Sequence, residues 1–413
     1  MTLTEPVTSK TQPPTRFQAA GDSTRAVHAG ARRDKPFHAL IDPIVQTATY
    51  AFDSLEDIQD FLERHDAGEK FDRYEYGRYG NPTVEAVAER IAALEGADEA
   101  LLFSSGMAAV TTALLALLGA GAHMVITDDL YRRTREFTND FLLRYGVGCS
   151  VVPMGDYAAL ESAIRPETRV ILSETPTNPY LRVLDVERVA ALARRRGVLT
   201  MLDTTFATPV NLRPMEYGID LIVHSATKYL GGHHDLLAGA VAGRSDLVKQ
   251  IANCTATLGG VLSPQNAYLL GRGLKSLALR VRHQNASGQQ VAEYLEGHPV
   301  VERVWYPGLA SHPDHAVARA QMKGFGGVVS FTVRGDLEST ARFIDRLQIP
   351  YTTPSLGGTE SLVVQPALMS YHHLSPAERA AIGIEDNLVR FALGIEDPAD
   401  IIADLEQALA GTG

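Results

Sequence analysis

The sequence predicts an α/β fold: a mostly parallel central sheet with helices on both faces, followed by a smaller C-terminal α+β domain. Three observations predict it. Short apolar runs recur at 124–126, 170–172, 199–202, 221–223 and 240–241, with helix-like stretches such as 186–195 between them. Strands that alternate with helices pair in parallel, because each crossover helix has to pack on a sheet face. Beyond about residue 275 the pattern changes, and runs at 327–331, 362–364 and 389–393 read as strands of a second, smaller unit. Finally, 413 residues with 45% hydrophobic and 21% charged content suffice for two or three domains with a large core.

The elements follow in chain order. Residues 1–75 read as an N-terminal arm. Thr47-Ala48-Thr49-Tyr50 resembles an extended piece and 54–62 a short helix, but the arm has too little apolar periodicity to fold alone. It is therefore expected to lie against a neighbouring subunit. Residues 1–17 are polar, with Pro13 and Pro14, and lack the apolar centre of a signal peptide. Thr83 is the expected N-cap of a helix whose Val84, Val87, Ala88, Ile91 and Leu94 recur at helical spacing up to Gly96. Ser104-Ser105-Gly106 opens the next helix, 107–118. Asp397-Pro398 caps a last amphipathic helix carrying Ile401, Ile402, Leu405 and Leu409. The expected organisation is an arm at 1–75, a cofactor-binding α/β domain at 76–270 and a C-terminal α+β domain at 271–413.

Composition narrows the function. A formal net charge of -11 without a long basic run argues against nucleic acid as the partner. The most apolar window, 107–118, is too short for a bilayer span of about 20 residues. Two cysteines, Cys149 and Cys254, suit a reducing compartment, and a cytoplasmic location is expected.

In open α/β sheets ligands bind beyond the carboxyl ends of the strands. The polar residues there are Thr127-Asp128-Asp129, Glu174, Asp203 and Ser225-Ala226-Thr227-Lys228. A lysine after the buried run 221–223, flanked by two small hydroxyl residues and a Gly-rich turn, suits an amine that holds a carbonyl cofactor while the hydroxyls hold its phosphate. Asp203 either caps the next turn or pairs with a cation, and the pyridinium nitrogen of pyridoxal phosphate (PLP) would be that cation. Ser105-Gly106-Met107 opens a helix whose first amides suit an anion, although Ser-Gly also starts ordinary helices. Tyr131 is a packing tyrosine or a ring stacked on a planar cofactor, with a hydroxyl able to carry protons. Arg390, inside an apolar strand, needs a carboxylate, either internal or from a substrate. His233-His234-Asp235 invites a metal reading, but adjacent side chains in a turn diverge and no further ligands accompany them, so no metal is expected.

Together these pieces resemble the Cys/Met-metabolism family of PLP enzymes, fold type I, over nearly the whole chain. The resemblance is carried by Tyr76-Gly77-Arg78-Tyr79-Gly80-Asn81-Pro82-Thr83, Ser104-Ser105-Gly106-Met107, Glu174-Thr175-Pro176-Thr177-Asn178-Pro179, Ser225 to Lys228 and Ser355-Leu356-Gly357-Gly358. It implies that Lys228 binds the cofactor covalently and that Asp203 faces the ring nitrogen. Ser105, Gly106, Met107, Ser225 and Thr227 would hold the phosphate, and Tyr131 would stack on the ring. Arg390, Ser355 and Asn178 would bind substrate. Tyr76 and Arg78 would reach the phosphate of a neighbouring subunit, which implies a homodimer as the catalytic unit, commonly paired into a homotetramer.

Several positions depart from the common pattern of the family. Tyr131-Arg132-Arg133-Thr134-Arg135 stands where many members have Tyr-Gly-Gly-Thr. Asp203-Thr204-Thr205 stands for Asp-Asn-Thr, His234 for Ser, and Pro354 for a Glu. The Tyr-Arg-basic-Thr-Arg run, Thr353-Pro354-Ser355 and Met369-Ser370-Tyr371 look most like the plant-type cystathionine γ-synthase branch. The expected reaction is γ-replacement on an activated homoserine ester by cysteine, with Arg132, Arg133 and Arg135 either gripping an anionic group of the substrate or forming an exposed basic turn. The alternatives left open are a cystathionine or methionine γ-lyase and a PLP-binding protein without turnover.

Overall fold

Seven strands form the larger sheet in the computed structural model, which describes residues 17, 19–32, 34–69 and 73–410. The Pro13-Pro14 tail lies outside the described residues. The strands are β1 (Glu99–Phe103), β2 (His123–Thr127), β3 (Gly148–Val152), β4 (Thr168–Glu174), β5 (Leu199–Asp203), β6 (Leu221–His224) and β7 (Gly239–Gly243), in the order β1-β7-β6-β5-β4-β2-β3. Strands β3, β2, β4, β5 and β6 run parallel, whereas β7 is antiparallel to both β6 and β1.

The pleat explains why the central strands read as unbroken apolar runs. Successive side chains point to opposite faces, and both faces are covered. Val125, Ile171, Leu202 and Ile222 bury against Val186, Val189 and Ala193 of the helix Val186–Arg196. Their strand neighbours Met124, Ile126, Val170, Leu172, Met201 and Val223 bury against Val110, Ala113 and Leu114 of the helix Gly106–Leu117. At about 1.5–3 kcal/mol per fully buried aliphatic side chain, these two layers dominate the stability of the platform.

The smaller sheet contains β8 (Val301–Trp305), β9 (Val328–Val333), β10 (Tyr351–Thr352), β11 (Leu362–Val364) and β12 (Leu388–Ala392), in the order β10-β11-β12-β9-β8. The 33-residue helix Pro264–Glu296 packs on the helix Pro82–Glu95 and on β8 and β9, and so ties the two sheets together.

The structure adds four strands to those expected: β1, β3, β8 and β10. All four are sheet edges. Their burial is broken, with both residues of β10 exposed, whereas β2, β6, β7, β9 and β12 are buried throughout. An edge strand has a neighbour on one side only and does not need a continuous apolar run. The N-cap also differs from expectation. The helix begins at Pro82, and Asn81 caps it by accepting the Thr83 and Val84 amides at 3.0 and 3.4 Å. The Thr83 hydroxyl instead accepts from the Val45 amide at 2.9 Å and donates to the Pro43 carbonyl at 3.2 Å, fastening the arm.

Candidate active site

The carboxyl ends of the parallel strands bring the expected polar residues together. Glu174 and Asp203 end β4 and β5 in register with each other, and β6 ends at His224, directly before Ser225. Asp203 Oδ1 accepts the Thr205 amide at 2.9 Å and the Thr205 hydroxyl at 2.5 Å. The same hydroxyl oxygen accepts the Ser225 amide at 2.9 Å. One threonine thus locks the carboxylate of β5 to the turn after β6. Burial raises the Asp203 carboxyl above its ordinary range, while the Thr205 bonds pull it back towards ionisation. Glu174 is pushed well above its usual range, first by burial and then by the charge of Asp203.

A cradle for an anion adjoins this floor. Ser105 caps the helix Gly106–Leu117 by accepting the Ala108 amide at 3.0 Å, and the Ser105 carbonyl takes the Ala109 amide at 3.1 Å. The Gly106 and Met107 amides are the ones that a helix leaves without an intrahelical acceptor. A Cβ on Gly106 would stand 2.8 Å from Ser225 Cβ, so only glycine lets the helix start rest on the Ser225 turn. The Thr227 hydroxyl donates to the Ala238 carbonyl at 3.2 Å and accepts the Ala238 amide at 3.0 Å, which anchors the turn to the strand leading into β7.

Lys228 and Arg390 form the opposite side. Lys228 Nζ donates to Ser355 Oγ at 2.7 Å. Arg390 donates through Nη1 to Asn178 Oδ1 and through Nη2 to the Ser355 carbonyl, both at 3.0 Å. Its buried Nε finds no acceptor among the described residues. Burial lowers the Arg390 guanidinium to about 10. Burial, with the charge of Arg390 added, lowers the Lys228 amine to about 8. A buried guanidinium bonded only to neutral oxygens suits a carboxylate brought by a ligand. Ser355 holds φ at 111°, a left-handed region that disfavours a side chain, and the bonds to Lys228 and Arg390 hold it there. Gly357, at φ 80°, lets this loop approach Tyr229: a Cβ there would stand 2.7 Å from the Tyr229 amide nitrogen.

A family model described as Cys/Met metabolism PLP-dependent enzyme matches residues 23–410. The chain belongs to this family. Its cofactor is pyridoxal phosphate, and the residues present suit that cofactor: a lysine of lowered basicity, a carboxylate held by Thr205, and a glycine-started helix at the Ser225 turn. The chain is 49% identical to cystathionine gamma-synthase 1, chloroplastic, of Nicotiana tabacum, over 94% of this chain and 72% of that protein. It is 41% identical to L-methionine gamma-lyase of Pseudomonas putida, over 94% of this chain and 97% of that protein. A crystal structure described as metB from Corynebacterium glutamicum superposes with a TM-score of 0.87 at 36% identity, covering 95% of this chain and 98% of that one. The α/β fold read from the sequence is therefore that of this PLP-dependent family.

The other candidate residues of this PLP enzyme fall as follows. Tyr131 donates its amide to Glu174 Oε2 at 2.7 Å, and its side chain is half-exposed. Arg135 donates to the Asp128 carbonyl at 2.5 Å, while Arg132 and Arg133 both pair with Glu136, at 2.7 and 2.6 Å. Tyr76 and Arg78 find their partners among Tyr79 and Ala256: the Tyr76 and Tyr79 ring centroids are 5.8 Å apart. Arg78 lies over the Tyr79 ring at 4.7 Å and bonds the Ala256 carbonyl. His233 and His234 diverge: His233 Nδ1 bonds the Gly231 carbonyl at 2.8 Å, and His234 Nε2 lies 3.9 Å from Glu360.

Sequence reading missed Glu95 and His224. His224 Nε2 and Glu95 Oε1 are 2.5 Å apart, with side-chain exposures of 1% and 0%. The two residues are 129 positions apart in the chain, and no motif links a helix-ending glutamate to a strand-ending histidine. The sole hint was the place of His224 between a buried strand and Ser225.

Proposed function

We propose that the chain catalyses γ-replacement on an activated homoserine ester, with cysteine as the thiol and cystathionine as the product. The observation that carries the reaction type is the Lys228–Ser355–Arg390–Asn178 cluster, which sets a weakly basic amine beside a carboxylate-binding guanidinium. The choice of a synthase over a γ-lyase rests on the identities of 49% and 41% to the two kinds of relative. It rests also on the basic segment after Tyr131.

Pyridoxal phosphate, when bound, supplies a carbonyl for the substrate amine and a ring that accepts electrons. Arg390 binds the substrate α-carboxylate through its fork, with Asn178 fixing the plane of the guanidinium. Lys228 Nζ takes the α-proton and later returns a proton further along the side chain. Burial lowers the Lys228 amine to about 8 in the cofactor-free protein, towards the range of a group able to act as both base and acid. Ser355 Oγ steadies Nζ between these steps. Asp203 would face the ring nitrogen and favour its protonated form, and Tyr131 would pack against the cofactor, with a hydroxyl able to carry protons. Ser105, Gly106, Met107, Ser225 and Thr227 would hold the phosphate, at the start of the helix Gly106–Leu117 and the Ser225 turn. Arg132 and Arg135, in the segment after Tyr131, would attract an anionic leaving group or distal carboxylate.

Tyr76 and Arg78 complete the phosphate site of a second copy, so the catalytic unit is a homodimer, paired into a tetramer. The exposed Phe37 and Leu40 of the arm support this assembly. A division at about 75 and 270 is supported by β1–β7 falling within the middle span and β8–β12 within the last, with the helix Pro264–Glu296 running through the second boundary. Among the described residues no helix is long and apolar enough to cross a membrane. Two free cysteines suit a cytoplasmic location.

The test is a panel of O-acyl and O-phospho homoserine esters with several thiols, with products identified by mass. Cystathionine from one ester and cysteine is expected. Ketoacid released from cystathionine or methionine, with no thioether from any ester, would overturn the synthase reading in favour of a γ-lyase.

A further inference from the structure

The Arg390 guanidinium owes its plane to two neutral oxygens, Asn178 Oδ1 and the Ser355 carbonyl. Asn178 sits on the loop that follows β4 of the larger sheet, so the height of that loop decides where the guanidinium is held. Thr177 closes the loop on itself. Its amide donates to the Arg182 carbonyl at 3.0 Å, its carbonyl accepts the Leu181 amide at 3.0 Å, and its hydroxyl accepts the Arg182 amide at 3.1 Å. The far end is anchored by Asp314, which accepts the Arg182 guanidinium at 2.6 and 3.2 Å and the Val183 amide at 2.9 Å. Asn178, Pro179 and Tyr180 form the tip between these two fastenings.

Each residue of the tip meets one residue of a row that crosses the smaller sheet. Trp305 of β8 is in register with Ser330 of β9, and Ser330 with Arg390 of β12. Register partners project from the same face of a sheet, while their strand neighbours alternate to the other. Over this row, Asn178 accepts from Arg390 at 3.0 Å, and the Pro179 carbonyl accepts the Ser330 hydroxyl at 2.6 Å. The Tyr180 ring lies over Trp305 with centroids 4.8 Å apart. Three consecutive loop residues thus follow three consecutive strands. Ser330 is fully buried and Trp305 nearly so. Deleting the Ser330 hydroxyl would leave the buried Pro179 carbonyl without this donor and unfasten the tip from β9.

We propose that Ser330 and the Tyr180–Trp305 ring pair are positioning elements for substrate recognition: they set the 178–180 tip at the height where Asn178 holds the Arg390 fork in the plane that receives an α-carboxylate. They act through Asn178, and the proposal rests on Arg390 binding the substrate carboxylate. A fork must lie in the plane of its carboxylate to make both bonds, so a small shift of the tip weakens recognition of that group alone.

The experiment titrates the holoenzyme with L-norvaline and with butylamine, the same molecule without its carboxylate, and follows the visible absorption of the bound cofactor. The ratio of the two dissociation constants measures recognition of the carboxylate. Ser330→Ala is expected to lower the preference for norvaline about tenfold. Butylamine binding, and cofactor affinity by equilibrium dialysis, should stay as in the wild type. Tyr180→Leu, which removes the ring over Trp305, should act in the same direction. A purely structural role would lower the melting temperature and leave the ratio unchanged, and that result, or equal weakening of both ligands, would overturn the proposal. If Ser330→Ala does not fold, Tyr180→Leu decides by the same criterion. Arg390→Lys, run in parallel, separates the two levels. A ratio unmoved in Arg390→Lys overturns the carboxylate reading of Arg390 itself. A ratio moved there but in neither of the other variants overturns only the role of the row beneath the loop.

Discussion

The two sides of the active site are built in different ways. The side proposed to face the cofactor ring, Asp203 with Thr205 and Ser225, comes from adjacent ends of β5 and β6, and its bonds span 2 or 20 residues. The side proposed to bind substrate, Lys228 with Ser355, Arg390 and Asn178, is assembled across both sheets through bonds spanning 35, 127 and 212 residues. The ring side inherits its geometry from strand register, which packing on both sheet faces holds rigid. The substrate side depends on how the second sheet docks on the first and on a strained Ser355 loop. The construction suggests a division of labour: cofactor chemistry on the rigid side, substrate choice on the side that small changes in docking can alter.

Substitutions can break or sharpen that contrast. The largest effect is expected where the two sides meet: Lys228→Ala should lower kcat by about 10^4-fold or more and abolish the visible absorption of the bound cofactor. A variant with wild-type rate would refute the role of the lysine. Arg390→Lys belongs to the substrate side alone. It should lower kcat/KM by roughly 100-fold, mainly through KM, because a lysine cannot reproduce the fork, while cofactor affinity measured by dialysis stays the same. Loss of cofactor in this variant would show that the two sides are not separable. Ser355→Ala removes the tether of Nζ and should reduce kcat about tenfold. Steady-state kinetics with an unchanged absorption spectrum is the check.

The Lys228 amine is near 8 in the folded cofactor-free protein, against 10.5 ordinarily. Between these values the unfolded chain binds more protons than the folded one, so this lysine's destabilising contribution is full below about pH 8 and fades as pH rises towards 10.5. Lys228→Met should therefore stabilise the cofactor-free protein by roughly 1–2 kcal/mol at pH 7, allowing for partial exposure, and by little at pH 10.5. Denaturant melts at the two pH values test this, and an equal difference at both would contradict it. The smallest effect is expected at the rim. Glu136→Gln frees Arg132 and Arg133, and should lower KM for an anionic ester by about two- to threefold, the scale of a surface ion pair. No change in KM with any ester would remove these arginines from the substrate side.

The sequence by itself determined the central strands, because a strand buried on both faces must be an unbroken apolar run, and it determined the residues that end those strands. Lys228, Asp203, Glu174 and Ser225 were legible for that reason. The motifs around Gly106 and Asn178 were legible because close backbone approach and strand-end polarity demand particular residue types. Only the tertiary structure decided the four edge strands, whose exposed side removes the pattern. The family resemblance grouped Ser355 and Arg390 with Lys228, but only the tertiary structure gave the bonds from Ser355 to both and placed Glu95 against His224. Contacts between residues more than 100 positions apart are selected by the docking of whole layers, and the local sequence at either end carries no record of its partner.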